Sequence, residues 1–275
     1  MSLESASNLF SKIFKTIGKY LPFNKRILDN LNYINYKEIL QDKKYLNIFI
    51  TRLWDNFGRY IAEFMFINKI SQKIIDKKIK INGLQNIANA TGHSQNPFIL
   101  SIAHQANWDF VIQAITKLYP KFVIVYKKIK NPYLNRFILK TRSGNNTKDT
   151  NIIMVEKSKK GSRKLIEAIK KGYSVVMLTD QRINDGIKVP FFGMDALTAR
   201  GIVRISKKYK YPILPVQIIR EKKTCSFSVN IHKKLNTNNL SDYEILKNLN
   251  NIMEGWIRKC PQQWFWFHKR WKISD

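Results

Sequence analysis

The stretch FILSIAHQANWDF, residues 98–110, joins an apolar run to a polar turn and then to the start of a helical pattern. The run FILSIA predicts a strand, and apolar residues at helical spacing over 107–118 predict a helix. His104 follows the strand directly, so it should lie at a strand's carboxyl end, where open α/β sheets commonly bind ligands. This unit therefore predicts both a class of fold and the position of a site.

The same alternation of strand and helix patterns continues outward from this stretch. Helical spacing recurs at 131–141, 161–171, 198–208 and 241–258. The strand candidates are IKINGL, FILSIA, FVIVY, NIIMV, SVVML, YPILPVQII and CSFSVNIH. Alternation of this kind predicts an α/β fold with a mixed, mostly parallel sheet flanked by helices.

Residues 1–74 are expected to form a helical arm ahead of a main domain at 75–275. In NLFSKIFKTIGKYL, residues 8–21, one side of the predicted helix is apolar and the opposite side is basic. The apolar side carries Leu9, Phe10, Ile13, Phe14, Ile17 and Leu21, and the basic side carries Lys12, Lys15 and Lys19. This amphipathic helix is expected either to lie in a membrane interface or to pack on the chain's own core. Spacing over 36–74 predicts one or two further long helices.

The charge balance is strongly basic. The 275 residues include 49 Lys and Arg against 19 Asp and Glu, a formal net charge of +30. This excess favours anionic partners: a phospholipid surface, a lipid phosphate, an acidic protein or nucleic acid. Part of it is equally explained as a solvated surface in a chain rich in Lys, Ile and Asn. The 44% hydrophobic content indicates a globular chain and not a disordered one.

The remaining composition points away from a spanning segment and from metal chemistry. No stretch approaches the ~18 consecutive apolar residues that cross a bilayer, and lysines interrupt any signal-peptide-like core near the start. Cys225 and Cys260 are far apart and lack metal-ligand spacing, so they are expected to be reduced, structural thiols. We therefore expect no metal site and no cofactor.

The pair His104 and Asp109 suits proton transfer. A neutral histidine can remove a proton from a hydroxyl when a neighbour holds its ring in the correct tautomer. Asp109, one helical turn further on, is expected to accept from the other ring nitrogen, and Asn107 and Trp108 are expected to shape the turn. A structural histidine near a helix cap is the alternative for so short a pattern.

A basic field follows this pair. No acidic residue occurs between Asp109 and Asp149, but nine basic ones do: Lys117, Lys121, Lys127, Lys128, Lys130, Arg136, Lys140, Arg142 and Lys148. Such a field would attract a phosphorylated substrate, although a solvated basic face is the alternative.

Two later stretches are open to two interpretations each. In FFGMDALTARG, residues 191–201, Thr198 is a candidate helix cap, and Phe191 and Phe192 fill either the core or the wall of a channel for an apolar ligand. In QWFWFHKRWK, residues 263–272, three tryptophans beside basic residues suit a membrane-interface belt or a terminus docked on the domain. His268 is expected to be structural.

Five ordered blocks carry a resemblance to a family. They are HQANWD, NPYLNRFILKTR, LTDQRINDGIKVPFFGMDALTARGIVRIS, YPILPVQIIR and PQQWFWFHKRWK. Together they resemble the bacterial lipid A biosynthesis acyltransferases over about residues 50–272, a family similar to the glycerolipid acyltransferases in its His-x4-acid motif. The resemblance implies a glycerolipid acyltransferase-like fold, with the catalytic domain at 75–275.

The resemblance also implies a reaction. An acyl chain passes from acyl carrier protein to a hydroxyl on a hydroxyacyl chain of a phosphorylated, Kdo-bearing lipid A precursor, at the cytoplasmic face of the inner membrane. His104 matches the family's base and Asp109 its paired acid, where many members have Glu. Arg142 and Asp180 match substrate-site positions, for which the neighbouring Arg136 and Arg182 compete, and Asn107 is a further substrate-binding candidate.

Three other functions stay open. A glycerolipid or other glycolipid acyltransferase would use the same histidine, but LTDQRINDGIKVPFFG, residues 178–193, replaces that branch's Pro-Glu-Gly-Thr-Arg type of loop. A basic nucleic-acid-binding protein would explain the charge, yet no zinc-finger, basic-zipper or RNA-recognition motif is present, so nucleic acid is not an expected partner. An inactive membrane-binding relative would not need His104 and Asp109.

Overall fold

The computed structural model describes residues 1–67, 76–92, 96–115, 118–119, 121–143, 151–221 and 225–272. The helices are α1 (Leu3–Ile17), α2 (Phe23–Tyr33), α3 (Lys37–Leu40), α4 (Lys43–Phe66), α5 (Leu84–Thr91), α6 (Asp109–Ile115), α7 (Pro132–Ser143), α8 (Lys159–Lys170), α9 (Gly201–Tyr209) and α10 (Asp242–Lys259). The strands are β1 (Ile79–Asn82), β2 (Ile99–Ile102), β3 (Lys121–Tyr126), β4 (Asn151–Glu156), β5 (Ser174–Leu178), β6 (Ile187–Phe191), β7 (Met194–Thr198), β8 (Ile213–Arg220) and β9 (Phe227–Ile231).

Seven of these strands form one sheet in the order β1-β9-β8-β2-β5-β3-β4. Every neighbouring pair is parallel except β8 and β9, which are antiparallel. Each strand candidate from the sequence forms a strand of this sheet. The predicted α/β class with a mixed, mostly parallel sheet is therefore confirmed.

A separate hairpin of β6 and β7 was not predicted. Its two-residue turn, Phe192 and Gly193, has positive φ at both positions, as the tight turns of such hairpins require. Thr198 ends β7 and donates to the carbonyl of Ala196, so the expectation that it caps the next helix is wrong. That helix begins three residues later, at Gly201.

Apolar side chains cover both faces of the main sheet. Ile99 belongs to one buried cluster and Leu100 to a second, and Val175 and Val176 divide in the same way. Because successive strand residues point to opposite faces, each face has its own core. The α4 residues Trp54 and Leu53 belong to the first cluster, so this helix packs on the sheet domain.

Helix α1 packs on α4 through its small residues. Ser7 and Ser11 are buried, and a Cβ added at Gly58 of α4 would lie 2.5 Å from the backbone of α1. Because this close contact uses the small face, the apolar side chains Leu9, Ile13 and Ile17 remain 42–45% exposed. The two interpretations of this helix are thus not exclusive: one face packs on the domain and another stays open.

Three other expectations have an outcome in the fold. The three tail tryptophans, Trp264, Trp266 and Trp271, are at most 1% exposed, so the tail is docked on the domain and the membrane-belt interpretation is wrong. Phe191 and Phe192 are buried in the core. The predicted helix over 36–74 is confirmed up to residue 66, and positions 68–74 lie outside the described residues. No helix in the described ranges is both long and apolar enough to cross a membrane.

Candidate active site

His104 and Asp180 meet at the carboxyl ends of two neighbouring parallel strands. β2 pairs with β5 so that Ile102 lies opposite Leu178, and each site residue follows two positions after its strand's paired end. The shared register brings the side chains together, with 2.6 Å between His104 Nδ1 and an oxygen of Asp180. This is the edge of the sheet at which the sequence placed the site.

The Asp180 carboxylate is fully buried and held by further donors. Its second oxygen accepts from the backbone N–H of His104 and from Nε1–H of Trp264, both at 2.7 Å. Burial alone would raise the pKa of Asp180, but the His104 imidazole outweighs burial, and the pKa lies well below its ordinary 3.8. The carboxylate therefore stays ionised and accepts a hydrogen from Nδ1.

This arrangement fixes the tautomer of the neutral His104 ring. With the hydrogen on Nδ1, the lone pair of the neutral ring lies on Nε2. That nitrogen is 3.1 Å from Nε2 of Gln181, whose amide donates to it. The His104 side chain is 13% exposed, so the basic nitrogen lies at the boundary between the protein and solvent.

Asp109 belongs to a second cluster. Its Oδ1 accepts from Nε of Arg142 at 2.7 Å, and its Oδ2 accepts from Nη2 of Arg142 at 3.3 Å and from the hydroxyl of Tyr60 at 3.0 Å. The expectation that Asp109 accepts from the His104 ring is therefore wrong. Asp180 occupies that position.

The reason is the backbone between His104 and Asp109. Helix α6 begins only at Asp109, and Ala106 has φ of 48°, a left-handed conformation that interrupts any helical path. The carbonyl of Gln263 accepts from the backbone N–H of Ala106 at 2.8 Å and holds the turn in place. A spacing of five residues consequently does not place the two side chains on one helical face.

Trp108 joins the two clusters. Its ring centroid lies 4.9 Å from that of His104 and 4.3 Å from that of Tyr60, on which it stacks. Burial, followed by the Asp109 charge, raises the pKa of Tyr60 well above 10, so its hydroxyl remains a donor. Burial would lower the pKa of Arg142, but the Asp109 charge outweighs it and keeps the guanidinium charged.

Comparison with known proteins identifies the family. The family model described as bacterial lipid A biosynthesis acyltransferase matches residues 5–273. The chain belongs to this family. The crystal structure of the 1-acyl-sn-glycerophosphate (LPA) acyltransferase, PlsC, from Thermotoga maritima is similar over 88% of this chain and 99% of that chain, with 18% identity and a TM-score of 0.42. Comparison with curated protein sequences found no match.

Asn107 does not lie in the open part of this acyltransferase's site. Its side chain is fully buried, and its amide donates to Glu63 at 3.0 Å. Glu63 also accepts from Ser7 and forms a buried ion pair with Arg220. Because the amide is used inside this network, we correct the expected substrate contact of Asn107 to a structural role in the turn.

The other basic candidates surround the acyltransferase site without joining either cluster. Arg136 is exposed on α7, and Arg182 is half-buried two residues after Asp180. Within the described ranges, neither arginine forms a hydrogen bond or ion pair with His104 or Asp109, and Nε of Arg182 has no hydrogen-bond partner. Lys117 and Lys148 of the basic field lie outside the described residues.

Four contributors were missed from the sequence: Tyr60, Glu63, Gln181 and Trp264. Gln181 could have been found from its position next to Asp180, but the others reach the site from distant elements. His268 lies nearby, donates from Nδ1 to the carbonyl of Phe265 at 2.7 Å, and is neutral because burial lowers its pKa to about 4. Within the described part of the chain, no three His, Cys, Asp or Glu side chains group as metal ligands.

Proposed function

We propose that this family member transfers a fatty acyl chain from acyl carrier protein to a hydroxyl of a hydroxyacyl chain on a phosphorylated, Kdo-bearing lipid A precursor, with His104 as general base. The observation that carries the proposal is the His104–Asp180 pair, which leaves a basic nitrogen at the edge of the site. Family membership supports the acceptor and donor classes.

The proton path follows from this pair. His104 Nε2 takes the proton of the acceptor hydroxyl as its oxygen attacks the thioester carbonyl, and Asp180 stabilises the resulting imidazolium. The tetrahedral intermediate then expels the thiolate, which takes the same proton from Nε2. Asp180 acts through His104 and is therefore a positioning residue. The amide of Gln181 must leave Nε2 when the hydroxyl arrives.

Arg142 is assigned to the negative charge that develops on the thioester oxygen. Asp109, which also accepts from the Tyr60 hydroxyl, fixes the Arg142 guanidinium from one side, and transition-state stabilisation requires such preorganisation. Backbone N–H groups after His104 are the second candidate donors. Asp109 then acts by holding Arg142 and not by holding the base. Arg136 and Arg182 are assigned to the phosphates of the acceptor.

Neither thiol is assigned to an acyl-enzyme intermediate. Cys225 is buried and Cys260 is half-buried. Burial raises the pKa of both thiols above their ordinary value, which disfavours the thiolate that would attack a thioester.

A basic groove between α1 and α4 supports an acidic donor protein. It has a volume of about 680 Å³. Its lining consists of Lys15, Lys43, Lys44, Asn47, Ile48, Thr51, Arg52 and Asp55. The one acidic residue of this lining, Asp55, pairs with Arg59. The three lysines and one arginine of the lining are therefore not neutralised by Asp55. Complementary charge of this kind steers an acidic carrier protein to its site.

The proposed location is the cytoplasmic face of the inner membrane, with peripheral or monotopic attachment. The open apolar stripe of α1, formed by Leu9, Ile13 and Ile17, supports it. Such a stripe can enter the acyl boundary while neighbouring lysines remain near lipid phosphates.

The test is acyl transfer from a series of acyl carrier protein thioesters to the Kdo-bearing precursor in detergent micelles. Native chain is compared with His104→Gln and with the matched control His232→Gln, a histidine that stacks on Trp256. We expect a new acylated product whose rate falls roughly 1,000-fold or more in the first variant and less than about twofold in the control.

Parallel reactions with glycerol phosphate and lysophosphatidic acid test the rival acceptors. If product forms only with these acceptors, the mechanism is the same but the chain is a glycerolipid acyltransferase. No transfer to any acceptor, or an undiminished rate in folded His104→Gln, contradicts the assignment of His104.

A further inference from the structure

Helix α7 exposes apolar side chains next to the active site. Tyr133 is 81% exposed, and Leu134 and Phe137 are each 46% exposed. At helical spacing the three fall within about 100° of the helix circumference, so they form one surface, here called the α7 patch. An exposed apolar patch beside a site indicates an interaction surface.

The α7 patch is connected to the Asp109–Arg142 pair through the ring of Phe64. Phe137 contacts Phe64 edge-to-face, with 6.3 Å between the ring centroids. The guanidinium carbon of Arg142 lies 5.8 Å from the centroid of the same Phe64 ring. Arg142 in turn binds Asp109. Whatever covers the patch therefore lies two side-chain contacts away from Arg142.

The charges around the patch restrict what can cover it. Lys128, Lys130 and Arg136 are exposed on α7 and the segment before it, and no acidic residue occurs in the sequence from 110 to 148. A second copy of this surface would bring like charges together. An acidic protein would satisfy the cations but would leave the aromatic exposure unexplained. A bilayer with anionic headgroups satisfies both features, because apolar tips enter the interface while cations stay near phosphate.

We propose that the α7 patch docks on the surface of an anionic lipid bilayer, as a membrane contact separate from that of α1. The Asp109–Arg142 pair then lies close to the bilayer surface from which a lipid acceptor arrives. This inference rests on the proposed function only in that the acceptor is a membrane lipid.

The experiment measures binding of the full-length chain to vesicles of phosphatidylglycerol and phosphatidylcholine, and to phosphatidylcholine alone. The variant Tyr133→Ser/Phe137→Ser is compared with a matched control, Tyr45→Ser/Tyr243→Ser, which removes two aromatic side chains of 49% and 42% exposure elsewhere. We expect affinity for the anionic vesicles to fall at least tenfold in the α7 variant and less than twofold in the control. Arg136→Glu should reduce the preference for anionic vesicles.

A second variant guards against a folding defect, because Phe137 contacts Phe64. Tyr133→Ser/Leu134→Ser leaves that contact in place and should also weaken binding severalfold, with an unchanged unfolding temperature. His104→Ala should bind vesicles like the native chain, so binding is measured independently of activity. If the native chain transfers nothing, the vesicle result still decides the proposal.

Three results would overturn it. The first is native-like vesicle binding by both α7 variants. The second is an equal loss in the control variant, which would indicate a general effect of surface aromatics. The third is that the α7 variants lose binding to acyl carrier protein but still bind vesicles, which would indicate a protein partner.

Discussion

The two carboxylates of the site are both buried, but they have different partners. Asp180 pairs with His104, an imidazole ring that can accept and release a proton. Asp109 pairs with Arg142, a side chain that stays charged, and with the donor hydroxyl of Tyr60. A carboxylate on a titratable ring handles a proton, whereas a carboxylate on a permanent cation holds a fixed charge.

In the proposed mechanism, proton transfer and charge stabilisation therefore take place in two neighbouring clusters. The His-x4-Asp spacing places its histidine in one cluster and its aspartate in the other. Trp108, which contacts both His104 and Tyr60, keeps the clusters adjacent. Substitutions at the two carboxylates should therefore produce different kinetic signatures.

The largest effect is expected for Asp180→Asn. An asparagine offers one oxygen where the carboxylate offers two, so its NH₂ must face either Nδ1 of His104 or the N–H groups of His104 and Trp264. The first arrangement forces the wrong tautomer, and the second leaves donors unpaired. We expect kcat to fall roughly 1,000-fold with little change in KM, measured with the Kdo-bearing acceptor.

Trp264→Phe is the control for Asp180→Asn. It removes the indole donor but leaves the Asp180 carboxylate opposite Nδ1 of His104, so kcat should fall no more than about tenfold. Equal losses in the two variants would show that Asp180 acts through packing of the tail and not through the tautomer of His104.

Asp109→Asn should have a smaller kinetic effect together with a loss of stability. It leaves the guanidinium of Arg142 without its anionic partner, and breaking such a pair costs about 2–3 kcal/mol at this partial exposure. We expect the free energy of unfolding to fall by that amount and kcat by about 10–100-fold. The acid limb of the pH–rate profile should be unchanged, because the His104–Asp180 pair is intact.

Asp242→Asn is the matched control, since Asp242 forms a part-buried pair with Arg200 at the start of α10, outside both clusters. It should reduce stability without a change in kcat. If Asp109→Asn instead shifts the acid limb, Asp109 influences the base and the division between the clusters is incorrect.

His268 should make the free energy of unfolding depend on pH. Burial lowers its pKa from 6.5 to about 4; the Asp180 charge opposes this shift, and His104 and Arg270 add to it. Between these pH values the unfolded chain binds a proton that the folded chain does not, so stability falls as pH falls through this window. The loss from this residue reaches at most about 3 kcal/mol near pH 4.

His268→Phe tests this prediction by urea unfolding at pH 7 and pH 4.5. The variant should lose less stability between the two pH values than the native chain. The contribution of Asp180 should persist across this range, because its pKa lies below 3.8 and its loss occurs only at more acidic pH. An identical pH dependence in the variant would contradict the burial of His268 as a neutral ring.

The sequence predicted the elements better than their contacts. Seven apolar runs became strands, because such runs identify buried strands without any knowledge of their neighbours. His104 and Asp180 were both selected, but the sequence could not pair them. Their pairing depends on β2 lying beside β5, across 76 residues of chain. The spacing to Asp109 favoured the local partner, and the positive φ of Ala106 removed it.

The α1 helix teaches the same lesson. Its amphipathic pattern was visible, but which face would be buried depended on Gly58 of α4, whose missing side chain admits a close approach. The β6–β7 hairpin was missed because Phe192, a residue not typical of positive φ, occupies its turn. The local sequence pattern therefore predicted which segments form helices and strands, whereas long-range packing determined which side chains contact each other.

The smallest expected effect concerns Tyr60, which links helix α4 to the Asp109–Arg142 pair. Tyr60→Phe removes one hydrogen bond to the Asp109 carboxylate and keeps the stacking on Trp108. Arg142 still neutralises Asp109, so we expect the free energy of unfolding to fall by about 1–2 kcal/mol and kcat by less than about tenfold.

The decisive readout is the combination of Tyr60→Phe with the other variants in double-mutant cycles. Tyr60→Phe should be non-additive with Asp109→Asn, because both act on one cluster, and additive with Trp264→Phe, because that residue acts on the other. Additivity with both would mean that Tyr60 stabilises the helix alone and has no part in positioning Arg142.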